Sequence, residues 1–158
     1  MFNLKKKAVR NSVKAVIVRD NKVLTIRNSA YEADYYILPG GGQKHSETLH
    51  ETLIRECNEE IGTTVEIGDL IFLREYIGSN HEFADEDCGV HQLELMFRCD
   101  VPEEYEAHNG VKPDEQQTGV MWLPIDSLEK FKLYPSFLKE ELKKIDAITK
   151  TRYFGDSN

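Results

Sequence analysis

The stretch that decides the fold is Leu38–Thr63, LPGGGQKHSETLHETLIRECNEEIGT. It opens with a run of glycines, which allows the backbone to turn tightly and to approach a neighbour closely. Thr48, followed three residues later by Glu51, forms a capping box that predicts the start of a helix. Gly62 predicts the end of that helix, because glycine readily adopts the left-handed conformation that terminates helices.

The predicted helix carries two different faces. Its apolar residues recur about one helical turn apart and predict a face that packs on a core: Leu53, Cys57 and Ile61, with Ile54 beside them. Glu56, Glu59 and Glu60 fall on a neighbouring face and repel one another. A hard divalent cation such as Mg²⁺ or Mn²⁺ would convert that repulsion into a binding site. Taken alone, the acidic face is more simply interpreted as a charged surface in contact with solvent.

A longer pattern extends this acidic face. It reads G-x5-E-x7-R-E-x2-E-E-x-G and consists of Gly41, Glu47, Arg55, Glu56, Glu59, Glu60 and Gly62. This pattern resembles the signature of the Nudix hydrolases, the MutT-like family. Cys57 stands where an aliphatic residue is usual, and Thr63 stands where the family has an apolar residue. Both are packing positions, so the charged residues of the pattern are unaffected.

The resemblance implies an α/β fold, the Nudix-type α/β/α sandwich with a central mixed β-sheet. We expect a single Nudix domain over residues 1–158, with a core at about 10–148, a loose N-terminal lead-in and a C-terminal tail at Thr149–Asn158. The implied reaction is Mg²⁺- or Mn²⁺-dependent hydrolysis of a pyrophosphate bond in a nucleoside diphosphate linked to a group X. The first candidate substrates are ordinary or oxidised nucleoside triphosphates. ADP-ribose-like compounds and nucleotide sugars come behind them, since the downstream proline typical of ADP-ribose pyrophosphatases is not recognisable.

The resemblance also assigns roles to individual residues. The implied metal ligands are Glu56, Glu59, Glu60 and the carbonyl of Gly40. Arg55 would orient the glutamates, and Glu47 would pair with Arg55 or support the metal site. Glu59 or Glu115 would position or deprotonate the attacking water, with Asp114 as the competitor of Glu115.

Substrate contacts are less well defined by the sequence. Gly41 and Gly42 would form the mouth of the site. Arg27 would contact a phosphate or a base, although a surface arginine is the simpler interpretation. The aromatic residues that could stack on a base are Tyr31, Tyr35, Tyr36 and Phe83.

Composition limits the other possibilities. The chain has 158 residues and a net charge of −8, which argues against non-specific binding to nucleic acid. Its three cysteines show no metal-binding spacing and suit a reducing compartment. No apolar run of about 18 residues and no secretory leader is recognisable. We therefore expect a cytoplasmic monomer or homodimer that acts on a small nucleotide without binding a membrane.

Two alternatives use the same fold. A nucleotide-sensing module without catalysis would be expected to lose glutamates from the pattern, and all of them are present. An isomerase acting on a prenyl diphosphate would rearrange its substrate without releasing phosphate. The hydrolase is favoured over both.

Outside the signature, the sequence predicts strands at Ser12–Arg19, Lys22–Arg27, Tyr35–Leu38, Val65–Ile77 (interrupted near Gly68), Gln92–Cys99 and Gly119–Leu123. Asn28–Asp34 and Gly78–Gly89 are predicted as loops, and 100–117 is the longest irregular stretch. An apolar stripe that includes Leu138, Leu142 and Ile145 predicts a C-terminal helix.

Overall fold

The computed structural model describes residues 8–30 and 33–158 of the chain. The strands are β1 (Arg10–Arg19), β2 (Lys22–Ala30), β3 (Ala33–Ile37), β4 (Gly40–Gly42), β5 (Glu66–Ile77), β6 (His91–Asp100), β7 (Gln117–Pro124) and β8 (Arg152–Asp156). The α-helices are α1 (Leu49–Ile61), α2 (Ala84–Asp87) and α3 (Leu138–Glu141). Tighter 3₁₀ turns cover Gly78–Asn80, Ile125–Lys130 and Leu142–Ala147.

The strands form a mixed sheet in the order β3-β2-β1-β6-β5-β8. β1 runs parallel to β6 and β5 runs parallel to β8, whereas β5 and β6 are antiparallel. β2 pairs with β1 only at Val18 and Arg19. Along the same edge of β1, β4 pairs with the residues from Ser12 to Lys14. The glycine turn is therefore held against the central strand of the sheet.

Each face of the sheet has its own apolar core, because successive residues of a strand point to opposite faces. One core joins β1 to α1 and includes Val13, Ala15, Ile17, Leu53, Cys57 and Ile61. The other core joins β1, β5 and β6 to the C-terminal helical turns and includes Val16, Phe72, Met96, Leu138, Leu142 and Ile145. Helices thus cover both faces of a mixed sheet, and the predicted sandwich is confirmed.

Helix α1 has the predicted ends. The N–H of Glu51 donates to Thr48 Oγ1 at 3.2 Å, and the N–H of Thr48 donates to Glu51 Oε2 at 2.7 Å. Gly62 follows the helix with φ of 69°, in the left-handed region. Ile54, which the sequence placed beside the apolar face, is 39 % exposed. The buried face is therefore narrower than the apolar pattern.

The predicted loop Asn28–Asp34 is largely part of a hairpin. β2 continues to Ala30 and β3 begins at Ala33. The Asp34 carboxylate links the two strands, since Arg27 Nε donates to it at 2.8 Å and Ser29 Oγ at 2.5 Å. Polar side chains that resemble a loop in the sequence thus stabilise strand pairing.

The expected C-terminal tail also differs in the structure, because it contains β8. This strand pairs in parallel with β5, with Phe72 opposite Arg152 and Leu73 opposite Tyr153. The Phe154 ring stacks on Phe137 at 3.9 Å. β8 has only five residues, which is too few for an alternating apolar pattern to be recognised in the sequence. Its pairing with β5 could therefore not be predicted.

The expected loose lead-in lies mostly outside the described residues, and Arg10 already belongs to β1. Within residues 8–30 and 33–158, no helix is long and apolar enough to cross a membrane.

Candidate active site

Arg55 connects the glycine turn to the acidic face of α1. Its Nε donates to Glu47 Oε1 at 2.7 Å, and its Nη2 donates to Glu47 Oε2 at 2.9 Å, so the two groups pair through both atoms of the guanidinium fork. Nη1 donates to Glu56 Oε1 at 2.6 Å, and Nη2 also donates to the Gly42 carbonyl at 3.1 Å. A planar guanidinium is suited to such divided contacts. Arg55 therefore fixes two carboxylates relative to the glycine turn.

The pairing of Arg55 with Glu47 favours the charged form of both groups. The hydrogen bonds from Arg55 hold the pKa of Glu47 at about 2, against the opposing effect of burial. The backbone N–H of Lys44 and the hydroxyl of Thr52 also donate to Glu47. The same pairing raises the pKa of Arg55 further above its usual range. Glu47 is thus committed to Arg55 and anchors the side chain that holds Glu56.

Glu56 packs directly against the glycine turn. A Cβ at Gly41 would lie 2.7 Å from the Glu56 carboxylate carbon, which is closer than real contacts allow. Only glycine leaves room for the carboxylate at this position. Glu59, four residues after Arg55, lies 3.6 Å from Arg55 Nη1 and its side chain is 26 % exposed.

Glu60 occupies a different environment. It is 2 % exposed, and its Oε2 accepts the N–H of Gly40 at 2.7 Å. Burial raises its pKa to about 7, and the nearby ammonium of Lys14 opposes that rise. Lys14 Nζ itself donates to the Gly40 carbonyl at 2.7 Å.

The donor atoms around the glycine turn match a hard divalent cation, which prefers carboxylate and carbonyl oxygens. Gly41 provides the space that Glu56 fills, and Gly40 contacts both Glu60 and Lys14. In the part of the chain that the structure describes, no three His, Cys, Asp or Glu residues are already grouped to hold a metal. Glu56 is engaged by Arg55 and Glu60 by Gly40, so metal binding requires their free oxygens or a rotation of the side chains.

The irregular segment after β6 closes the end of α1, a role that the sequence did not reveal. The N–H of Gly110 donates to the Glu60 carbonyl and the N–H of Lys112 to the Glu59 carbonyl, both at 2.9 Å. Tyr105 Oη donates to the Ile61 carbonyl at 2.8 Å. These contacts satisfy carbonyls that a helix end leaves without partners. They also hold this segment next to the acidic face.

A cavity of about 380 Å³ opens beside the glycine turn. Of the predicted site residues, Gly40 and Gly41 line it, together with Asp114. Asp114 and Glu115 are both exposed, and they differ in that Asp114 lines the cavity whereas Glu115 does not.

Gly42 and Arg27 lie outside the cavity lining. A Cβ at Gly42 would lie 2.5 Å from the Arg10 guanidinium. Arg27 is paired with Asp34, and its side chain is 42 % exposed. Neither residue is brought to the cavity wall in this structure.

The opposite end of the cavity is built from other strands. Arg74 and Glu94 are 6 % and 3 % exposed, and Arg74 Nε donates to Glu94 Oε2 at 2.5 Å. The Arg74 guanidinium lies 5.3 Å from the centre of the Tyr76 ring. Its Nη1 also donates to the carbonyl of Ser157, just after β8. This buried ion pair was not anticipated, because nothing in the sequence indicates that these residues are neighbours.

Comparison with known proteins identifies the family. A family model described as the NUDIX domain matches residues 9–154. The chain belongs to the Nudix family.

The relatives of this Nudix protein carry several names. It is 29 % identical over 92 residues to an ADP-ribose pyrophosphatase of Methanocaldococcus jannaschii, an alignment that covers 57 % of this chain and 50 % of that protein. The chain thus spans about half the length of that curated relative. A MutT Nudix hydrolase structure from Burkholderia pseudomallei is 28 % identical, with a TM-score of 0.59 and coverage of 75 % and 85 %. An ADP-ribose pyrophosphatase structure from Streptococcus suis is 14 % identical, with a TM-score of 0.65 and coverage of 94 % and 100 %, and shows the fold alone.

These findings confirm the predicted Nudix hydrolase family.

The aromatic residues considered for base stacking have different positions in this Nudix fold. Tyr35 lines the cavity, and its hydroxyl donates to Gln116 Oε1 at 2.8 Å. Phe83 contacts the cavity residue Tyr134 edge-on, with ring centres 5.6 Å apart. Tyr36 is buried in the core, and Tyr31 lies outside the described residues.

Proposed function

We propose that this protein hydrolyses the pyrophosphate bond of a nucleoside diphosphate linked to a group X, with Mg²⁺ or Mn²⁺ as cofactor. The observation that carries the proposal is the Arg55 fork, which holds Glu47 and Glu56 against the glycine turn. A structural salt bridge would not need a second carboxylate or a glycine that leaves space for it. The arrangement is explained better by an acidic site that binds a cation.

Glu56, Glu59, Glu60 and the Gly40 carbonyl are the groups that would hold the metal. When bound, the cation supplies positive charge against the phosphates and lowers the pKa of a coordinated water. Arg55 keeps Glu56 in place, and Glu47 keeps Arg55 in place. Such supporting contacts orient ligands and tune a metal site.

A carboxylate is required to accept the proton of the attacking water. Glu59 is our first candidate, because it is partly exposed and lies at the edge of the Arg55 network. Asp114 is the second, because it lines the cavity. Glu115 is the third candidate, because it follows Asp114 in the chain but does not line the cavity.

Among the candidate substrates, ADP-ribose-like compounds come first. The partial alignment with the archaeal ADP-ribose pyrophosphatase supports this choice. The cavity also has a size typical of small-molecule sites, which span about 300–1,000 Å³. Nucleoside triphosphates and oxidised nucleotides, the substrates suggested by the MutT resemblance, form the comparison group.

The test is a hydrolysis panel with Mg²⁺ or Mn²⁺, in which wild type is compared with Glu59→Gln. It contains ADP-ribose, 8-oxo-dGTP, the ordinary dNTPs, nucleotide sugars and a dinucleoside polyphosphate. We expect metal-dependent release of two phosphorylated products from one substrate and a large loss of turnover in the variant. Full metal-dependent turnover in Glu59→Gln would exclude Glu59 from catalysis.

Nucleotide binding without hydrolysis of any panel member would instead favour the sensing module. A rearranged product without phosphate release would indicate the isomerase. Cytoplasmic location and a monomeric or homodimeric state remain predictions.

A further inference from the structure

Lys14 lies in the middle of the central strand. Its partners across the sheet are Met96 on β6 and Gly40 on β4. The side chain is partly buried and lines the cavity, on the face of the sheet opposite to the buried neighbours Val13 and Ala15. Its aliphatic stem can lie along the sheet while the ammonium reaches a polar acceptor.

The acceptor belongs to the proposed metal site. Lys14 Nζ donates to the Gly40 carbonyl at 2.7 Å, and the N–H of Gly40 donates to Glu60 at 2.7 Å. Each polar group of the Gly40 backbone thus has a side-chain partner. The Lys14 ammonium donates to the carbonyl oxygen, and the Glu60 carboxylate accepts the N–H. The ammonium therefore binds the same carbonyl oxygen that a divalent cation would coordinate.

The geometry points to Lys14 as a resident cation that competes with the divalent metal for the carbonyl oxygen of Gly40. This inference rests on the metal site of the proposed function and adds a residue to it. Two cations at close range on one oxygen repel each other strongly, even where solvent screens the charge. Metal binding must therefore displace the ammonium, and the energy of that displacement weakens metal affinity.

The displaced side chain has a place to go. Lys14 already lines the cavity, as does Gly40, so its ammonium can turn toward the space that the phosphates of a substrate would occupy. Before metal binds, the same ammonium offsets part of the negative charge of the acidic face. Lys14 thus has opposite effects on the two states: it stabilises the metal-free protein and opposes the metal.

The first experiment measures Mn²⁺ affinity by calorimetry or electron paramagnetic resonance, without substrate. It compares wild type with Lys14→Met, Lys14→Gln and Lys14→Arg. The matched control is Lys22→Met, which removes the same charge from an exposed position on β2 outside the cavity lining. We expect Lys14→Met and Lys14→Gln to bind Mn²⁺ about tenfold more tightly than Lys22→Met. Lys14→Arg should stay near wild type, because it keeps the charge.

The second measurement is the rise in melting temperature when Mn²⁺ is added. A ligand that binds only the folded state stabilises in proportion to its affinity. The rise should be larger in Lys14→Met than in wild type, and the metal-free variant should melt at a lower temperature. Lys14→Gln provides the same comparison if the methionine variant does not fold.

The outcomes separate this inference from the proposed function. Mn²⁺ affinities of Lys14→Met and Lys14→Gln that equal or fall below that of Lys22→Met would overturn the role of Lys14 while leaving the metal site intact. Absence of Mn²⁺ binding in every protein, wild type included, would overturn both. Tighter Mn²⁺ binding with no hydrolysis of any substrate would support Lys14 and count against the hydrolase.

Discussion

The two ends of the candidate active site, the Arg55 motif beside the glycine turn and the Arg74 end of the cavity, are built in different ways. At one end, Glu47, Arg55 and Glu56 lie within ten residues of sequence, and a single guanidinium holds both carboxylates. At the other end, Arg74 is held by Glu94 of β6 and by the backbone of Ser157, at the end of the chain described here. The first end is a local motif, whereas the second depends on the whole sheet.

This difference indicates that the local motif serves the reaction and that the buried ion pair serves the stability of the fold. The groups of the local motif are partly exposed and have carboxylate oxygens that can accept a cation. The charges at the distant end are buried and bind each other. Substitutions at the first end should therefore change turnover while leaving stability nearly intact, and substitutions at the second should change stability first.

The largest expected effect is on stability, from Glu94→Ala. It leaves the Arg74 guanidinium buried without its carboxylate, which costs about 3–5 kcal/mol for a buried pair. Urea unfolding of the metal-free protein measures it. Adding Arg74→Met should recover much of the loss, because the unpaired charge is then removed as well. A loss below about 1 kcal/mol would mean that the pair behaves like an exposed salt bridge and that the comparison is wrong.

Arg55→Lys tests the other end. Lysine keeps the charge but cannot bind Glu47 through two atoms and Glu56 at the same time. We expect turnover or Mn²⁺ affinity to fall about 10–100-fold, the usual range for residues that support a metal site. Arg98→Lys is the control, because Arg98 pairs with the largely exposed Asp146. Equal activity of both variants would show that the Arg55 fork has no catalytic importance.

The same division explains what the sequence could reveal. The ends of α1, the glycine turn and the glutamate face depend on neighbours three to eight residues apart, so spacing alone predicted them. The network of Arg55 with Glu47 was implied by resemblance to the family, and the structure gives its geometry.

The rest depends on tertiary contacts. Strand β8 is stabilised by pairing with β5, a contact between residues about 80 positions apart that leaves no local pattern. Asp114 and Glu115 are adjacent acidic residues in an irregular segment, and the sequence does not show that Asp114 lines the cavity whereas Glu115 does not. The hydrogen bond from Lys14 to the Gly40 carbonyl could not be predicted either, because a single lysine in an apolar strand gives no indication of its partner.

A pH titration tests how β8 contributes to the distant end. Asp156 accepts hydrogen bonds from Ile77, Asn80 and His81. Although burial opposes it, these bonds lower the pKa of Asp156 to about 2 from an ordinary value of 3.8. Because the folded pKa is the lower one, the stabilisation is full above the ordinary value and is lost as the pH falls through about 2.

The matched variant for this titration is Asp156→Asn, which removes the charge. The free energy of unfolding should be higher for wild type at pH 6, and the difference should shrink between pH 4 and pH 2. A difference that stays constant over this range would attribute the effect to hydrogen-bond geometry rather than to ionisation.

The smallest expected effect comes from the helix cap. Thr48→Ala removes the oxygen that accepts the N–H of Glu51, which should cost about 1 kcal/mol. The Arg55 fork does not include Thr48, so kcat should remain near wild type although the protein unfolds at a lower urea concentration. A loss of kcat comparable to that of Arg55→Lys would mean that the first turn of α1 sets the position of the fork. In that case local stability and chemistry would be coupled even within the motif, and the division between the two ends would hold only for the buried ion pair.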